Sequence, residues 1–220
     1  SPDTIPDVIM TGAAAGDQFG ISVSSAGDVN GDGFSDVIAG AFGNDAGGTD
    51  AGRTYIYYGG SVMNNVADGI MTGTAAGDAF GYSVSSADDI NGDGYSDVIV
   101  GAYLNDAGGS NAGRSYVYFG GISSDTIADL ILTGAAAGDQ FGYSVSTSGD
   151  VNGDSYNDII IGAPLNDAGG ADAGRAYIYY GGNSPDTITD VTINGAAAGD
   201  QFGYSVSSAG DVNGDGFSDV

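Results

Sequence analysis

The sequence predicts an all-β chain built of β-propeller blades, four-stranded antiparallel repeats of 61 residues, forming a partial ring or one completed by another copy. Three observations carry this. The stretch Asp28-Val29-Asn30-Gly31-Asp32-Gly33-Phe34-Ser35-Asp36 returns at Asp89 to Asp97, Asp150 to Asp158 and Asp211 to Asp219, at a constant step of 61. Short runs rich in Val, Ile and Tyr alternate with Gly, Asp and Asn, which is the punctuation of strands and turns. No apolar stripe of helical period interrupts them, and a four-stranded unit of this length fits a blade that packs its faces against neighbouring sheets.

Within the first unit, Val8-Ile9-Met10 reads as a strand between turn signals, with successors at Gly69-Ile70-Met71, Leu130-Ile131-Leu132 and Val191-Thr192-Ile193. Phe19, Ile21 and Val23 alternate with Gly20, Ser22 and Ser24 in the period of a half-buried strand. The acidic loop follows. Val37 to Phe42 is then a continuous apolar run, as expected of a strand covered on both faces. Asn44 to Gly52 reads as a glycine-rich turn, and Arg53-Thr54-Tyr55-Ile56-Tyr57-Tyr58 as an aromatic strand ending at Gly59-Gly60. The chain, 1–220, is thus one repeat domain with units 1–61, 62–122, 123–183 and a partial unit 184–220, whose 37 residues differ from the first 37 at five positions.

Composition narrows the function classes. All 29 acids are aspartate, and the only basic residues are Arg53, Arg114 and Arg175, giving a net charge of −26. Such a surface repels nucleic acid and anionic membranes and suits a protein that lives among divalent cations or in salt. No apolar run approaches the roughly 20 residues of a membrane span, so no membrane insertion is expected. Ser1-Pro2-Asp3 carries neither an initiator Met nor a basic-then-apolar leader, the start expected of a mature product or an excised piece. Without His, Cys or Lys, the Ser-His-Asp, Cys-His and Schiff-base chemistries are excluded. Paired aspartates remain for glycoside hydrolysis, but the visible pairs are committed to the loops. The expectation is not an enzyme.

The loops point to a cation. Oxygen-bearing side chains stand at positions 1, 3, 5 and 9, with glycines at 4 and 6 and a backbone carbonyl available at 7, which is the spacing of a calcium loop. The competing reading is a plain Asp/Asn/Gly turn that needs no ion. Position 12, where the tighter EF-hand sites place a bidentate Glu, is Ala39 here, so the expected affinity is weak, in the roughly 10⁻⁴ to 10⁻³ M range of extracellular modules. The ion's expected role is structural bracing, in a chain that has no cysteine for disulfides.

Three other repeated features have two readings each. The three arginines either anchor an anionic ligand or pair with an Asp at a strand start. The loops at Asn44 to Gly48, Asn105 to Gly109 and Asn166 to Gly170 are either solvated turns or a repeated ligand or cation face. Tyr57-Tyr58 and Tyr179-Tyr180 either pack the blades or stack on sugars.

Taken together, Phe19-Gly20, the loop from Asp28 to Asp36 and Gly40-Ala41-Phe42 resemble the FG-GAP repeats of integrin α-subunit propellers and their bacterial relatives. The Phe-Gly pair returns at Phe80-Gly81, Phe141-Gly142 and Phe202-Gly203; the second element reads Gly101-Ala102-Tyr103 in the second unit and is complete at Gly162-Ala163-Pro164. The resemblance implies a seven-bladed ring with calcium loops between first and second strands, and a role in adhesion or ligand binding outside the cell or at its surface. It implies as ligands Asp28, Asn30, Asp32 and Asp36, then Asp89, Asn91, Asp93 and Asp97, then Asp150, Asn152, Asp154 and Asp158, and Asp211, Asn213, Asp215 and Asp219. The carbonyls of Phe34, Tyr95, Tyr156 and Phe217 complete the sets from position 7. One departure stands out: Ser155 replaces the position-6 glycine of the third loop, at a strain of roughly 1 kcal/mol if positive φ is needed there.

Two further function classes accompany a calcium-binding adhesion module with a protein or glycan ligand. One is an architectural repeat in which self-association fills a cut blade to make a ring or surface fibre. The other is an accessory domain of a longer secreted enzyme.

Overall fold

The computed structural model describes residues 6–122 and 125–220, so Ser1-Pro2-Asp3 lies outside the described residues. Among the described residues every regular element is a β-strand, and no helix is long and apolar enough to cross a membrane. The first sheet holds β1 (Val23–Gly27), β2 (Asp36–Ala41), β3 (Arg53–Tyr57) and β4 (Gly69–Thr72). The second holds β5 (Ser83–Asp88), β6 (Asp97–Ala102), β7 (Arg114–Tyr118) and β8 (Leu130–Thr133). The third holds β9 (Ser144–Gly149), β10 (Asp158–Ala163), β11 (Arg175–Tyr179) and β12 (Val191–Asn194). Each is an antiparallel meander in chain order. The fourth strand of each sheet therefore follows the Gly-Gly turn and is supplied by the start of the next 61-residue stretch.

The sheets meet through their first strands, β1 beside β5 and β5 beside β9. This is how blades stand around an axis, and the fold is that of propeller blades. The core lies between sheets. Ile38 and Met71 of the first pack with Phe80, Val84, Val98 and Val100 of the second; Ile99, Val117 and Leu132 of the second pack with Phe141, Ile159 and Ile161 of the third. β6 and β10 are buried at every residue, as a continuous apolar run with a sheet on each face should be. Full burial of a side chain such as Ile99 contributes about 1.5–3 kcal/mol.

Two expected strands differ. Val8-Ile9-Met10 is not a strand, because no strand of the described residues lies beside it to pair its backbone; Met10 still packs against the cluster formed by Ala39, Ala41, Tyr55 and Tyr57. The strand expected from Phe19 begins only at Val23. Gln18 and Gly20 both take positive φ, 54° and 83°, and Ile21 N–H closes a turn on the Gln18 carbonyl at 3.3 Å. The Phe-Gly pair is thus a turn that drops the ring onto its own blade: Phe80 meets Tyr116 edge-on at 5.3 Å and Phe141 meets Tyr177 at 5.2 Å.

Its glycine faces the neighbouring blade. Gly81 N–H donates to Gly101 O at 3.0 Å, and the Gly81 carbonyl presses on Gly40 of the preceding blade so closely that a Cβ there would overlap it. Gly142 on Gly101 and Gly203 on Gly162 repeat the contact. The Phe-Gly and Gly-Ala elements are therefore two halves of one blade-to-blade junction.

Candidate metal loops

The first three acidic loops each join the first and second strands of a blade, with a register break at the loop: the β1–β2 register shifts between Ser25 and Gly27, and the same break occurs between Ser86 and Asp88; the fourth is closed by an isolated bridge between Gly210 and Asp219. Inside the first loop, Asp28 Oδ1 accepts from the Gly31 and Asp32 amides at 2.8 and 3.1 Å, and its Oδ2 from Gly33 at 2.8 Å. Asn30 Oδ1 accepts from Asp32 N–H at 2.9 Å, and Asp32 Oδ1 from Phe34 N–H at 2.9 Å. Asp36, 1 % exposed, accepts from Val29 N–H at 2.9 Å and from Gly59 N–H at 2.7 Å. A chain of Asx turns thus winds the loop, and its last acid ties the loop to the β3–β4 connection.

The pattern repeats around Asp89, Asn91, Asp93 and Asp97, and around Asp150, Asn152, Asp154 and Asp158. In the third loop Ser155 does hold positive φ, 75°, where Gly33 and Gly94 have 88° and 90°. The fourth loop forms around Asp211, Asn213 and Asp215, and Asp219 Oδ2 takes the Val212 amide at 2.9 Å. There Asn213 Nδ2 reaches toward Asp219 at 3.5 Å, whereas Asn30 Nδ2 turns to Asp32 at 3.1 Å.

The electrostatics of these loops are uncompensated. Burial pushes the Asp97 carboxyl up to about 7, two backbone amides pull against it, and Asp93 and Asp89 push it higher. Asp158 is raised to about 6 in the same way, and Asp36 is raised too. The donor set of each loop, three carboxylates, an amide oxygen and a carbonyl, fits a hard divalent cation in kind and number. Yet among the described residues no group of three or more acids stands close enough together to hold one. The reason lies in the Asx turns: the carboxylates are aimed at the loop's own amides, and the Oδ1 of each first aspartate, as at Asp28, accepts from two of them. Binding a cation would require the carboxylates to turn inward together, with the first aspartate giving up part of its hold on those amides.

The other repeated features resolve as follows. Among the described residues the arginines do not take an Asp at the strand start as hydrogen-bond partner; each Nε reaches across to the fourth strand, Arg53 to Thr72 at 3.1 Å, Arg114 to Thr133 at 3.0 Å and Arg175 to Asn194 at 2.6 Å. Tyr57 and Tyr179 are buried in the blade cores. The turns at Asn44, Asn105 and Asn166 are anchored rather than merely solvated. Each asparagine is buried and donates Nδ2 to a buried aspartate, Asp17, Asp78 or Asp139, at 2.7, 2.6 and 2.7 Å. Sequence reasoning missed those aspartates, although their own step of 61 marks them. It also missed a line of tyrosines where first strands adjoin, in which Tyr82 donates to Tyr143 at 3.0 Å and Tyr143 to Tyr204 at 2.9 Å.

Antiparallel four-stranded blades with an acidic turn between first and second strands define a propeller-repeat protein. The FG-GAP repeat family model matches residues 19–57, 80–118 and 141–179, and the chain belongs to that family. It is similar to Integrin alpha-PS5 of Drosophila melanogaster, 35% identical over 159 residues that cover 69% of this chain and 15% of the relative. Integrin alpha-5 of Xenopus laevis is 36% identical over 151 residues, 64% of this chain and 14% of the relative. Integrin alpha-6 of Homo sapiens is 29% identical over 223 residues, all of this chain and 18% of the relative. The chain spans less than a fifth of the length of these relatives.

Proposed function

We propose that this chain is a calcium-braced propeller segment that acts as a non-enzymatic binding or adhesion module outside the cell or at its surface. The observation that carries the calcium reading is Asp97: a fully buried carboxylate, crowded by Asp93 and Asp89, whose hydrogen-bond partners are two backbone amides and no cationic side chain. A divalent cation shared with Asp93 and Asp89 would answer that charge. Membership of a family whose similar proteins are integrin α chains supports the adhesion reading and a protein or glycan ligand. In this reading the ligands are the Asp and Asn residues of the four loops with the position-7 carbonyls, and the ion's work is bracing.

The test is calorimetric titration with calcium alongside melting in calcium and in chelator. Uptake in the roughly 10⁻⁴ to 10⁻³ M range, with a higher Tm in calcium, is expected. No uptake and no Tm difference would overturn the metal reading. Cell attachment to surfaces coated with the chain tests adhesion; attachment equal to that on an inert acidic protein would overturn it.

A second reading, architectural assembly, is favoured by Ile21 and Val23, 55% and 63% exposed on the first sheet's free side. They suit cover by a further blade, whether from the same polypeptide or from another copy. Sedimentation decides: a dimer or polymer supports assembly, and a monodisperse monomer counts against it.

A further inference from the structure

The acidic loops touch one another in series. Ser96 N–H, from the eighth position of the second loop, donates to the Asp28 carbonyl at 3.0 Å, and Asp28 N–H donates back to Ser96 Oγ at 3.1 Å. Ser218 N–H donates to the Asp150 carbonyl at 2.8 Å, and Asn157 N–H reaches the Asp89 carbonyl at 3.4 Å. The position-7 rings make a second contact. Tyr95 lies flush against Gly31 of the preceding loop, where any Cβ would run into the ring; Tyr156 covers Gly92 and Phe217 covers Gly153 in the same manner.

A third connection passes through the Gly-Gly turn. Asp97 Oδ1 holds Gly120 N–H at 2.8 Å, and the next residue, Gly121, donates to the carbonyl of Val29, the neighbour of Asp28, at 2.8 Å. In the following pair Asp158 Oδ1 holds Gly181 N–H at 2.8 Å and Gly182 donates to Ile90 O at 2.8 Å. The ninth residue of one candidate site is thus two hydrogen bonds from the first residues of the site before it.

We propose that cation binding to successive loops is positively coupled through these contacts, so that the loops fill as a cooperative set. The inference rests on the calcium reading above. Drawing the carboxylates of one loop around an ion orders its position-7 ring, its eighth-position amide and the Gly-Gly turn. Those are the groups that hold the first half of the preceding loop, so the second ion orders less backbone and binds more tightly. By linkage the effect is reciprocal: filling the first loop also favours the second. Repulsion between neighbouring ions works against this, but salt screens it over about 8 Å and the chain carries a charge of −26.

The test is a calcium titration of the full chain, ¹⁵N-labelled, that reads the Gly31 and Gly33 amides of the first loop and the Gly92 and Gly94 amides of the second. Asp93→Asn, at an exposed position, weakens the second loop while leaving every donor of the first intact. Tyr95→Ala removes the ring from Gly31 and keeps the backbone carbonyl at 95. In both variants the affinity read at Gly31 and Gly33 is expected to fall about 5-fold or more. A first loop that titrates as in the wild type, beside a weakened second loop in Asp93→Asn, would overturn the coupling and leave the calcium reading standing. Wild-type protein with no calcium-dependent shift in any loop would overturn both.

Discussion

Asn105 donates its side-chain amide to Asp78 Oδ2 at 2.6 Å, and both side chains are buried, 5% exposed each. The bond joins the turn after β6 to the turn before β5, and its counterparts at Asn44–Asp17 and Asn166–Asp139 make it a fixed part of the blade. Burial raises the Asp78 carboxyl, and the Asn105 hydrogen bond and the nearby Arg114 charge work against that rise. Asn105→Ala strands the carboxylate. It is expected to cost about 1–3 kcal/mol in urea unfolding, with part of the loss recovered in the Asp78→Ala/Asn105→Ala double variant, where neither group is left unpaired. Equal losses in the single and double variants would show that the bond itself contributes little.

Asp97 and Asp158 set the pH response of the metal-free protein. Their folded-state carboxyls stand at about 7 and about 6, above the ordinary 3.8, so the folded chain binds these protons more tightly than the unfolded chain. The stability this adds is complete below the unfolded value and is lost as pH rises through the folded values. In chelator, Tm is therefore expected to fall between about pH 4 and about pH 7, each unit of raised pKa being worth about 1.4 kcal/mol at most. Excess calcium should flatten that profile by holding the carboxylates ionised. Melts in both conditions across this range check the prediction, and a chelator profile that rises with pH would contradict it.

Gly40→Ala places a methyl where the Gly81 carbonyl stands. The neighbour in the way is backbone, which cannot rotate aside, so the two blades must separate. A loss of about 1–3 kcal/mol is expected by chemical denaturation. Gly33→Ala offers a contrast, since open space surrounds that position and only its φ of 88° resists. A Gly40 variant as stable as wild type would mean that the junction is slack.

Ser155→Gly relieves the one loop in which a side chain occupies the position-6 φ, 75°. The gain is expected to be about 0.5–1 kcal/mol, because the greater freedom of glycine in the unfolded chain offsets part of the relieved strain. Thermal melts in chelator isolate this backbone effect from any change in cation binding. An unchanged or lowered Tm would show that the Ser155 side chain contributes contacts that outweigh its strain.

Much of the candidate site was legible because it is local. Nine contiguous residues with Asp or Asn at positions 1, 3, 5 and 9 and glycines between them wind into the observed Asx turns with little help from elsewhere. What was not legible was where those oxygens point. Asp28, Asn30 and Asp32 satisfy the loop's own amides, and Asp36 reaches Gly59, 23 residues on, which no spacing rule announces. The arginines show the same limit, since their partners on the fourth strand lie 19 residues downstream and only strand pairing brings them opposite.

By itself the sequence determined the 61-residue period, the strand-forming runs and the acidic turns, because a step repeated to the residue and an alternation of two are carried by neighbours along the chain. Tertiary structure decided the rest. It turned Phe19-Gly20 from strand into turn, left Val8-Ile9-Met10 unpaired while its successors joined sheets, and set Tyr95 against Gly31 across a blade boundary. The physical reason is common to all three: a strand needs a partner's backbone and a close contact needs an opposing surface, and here both come from residues dozens of positions away, brought near only when blade faces bury their apolar side chains together.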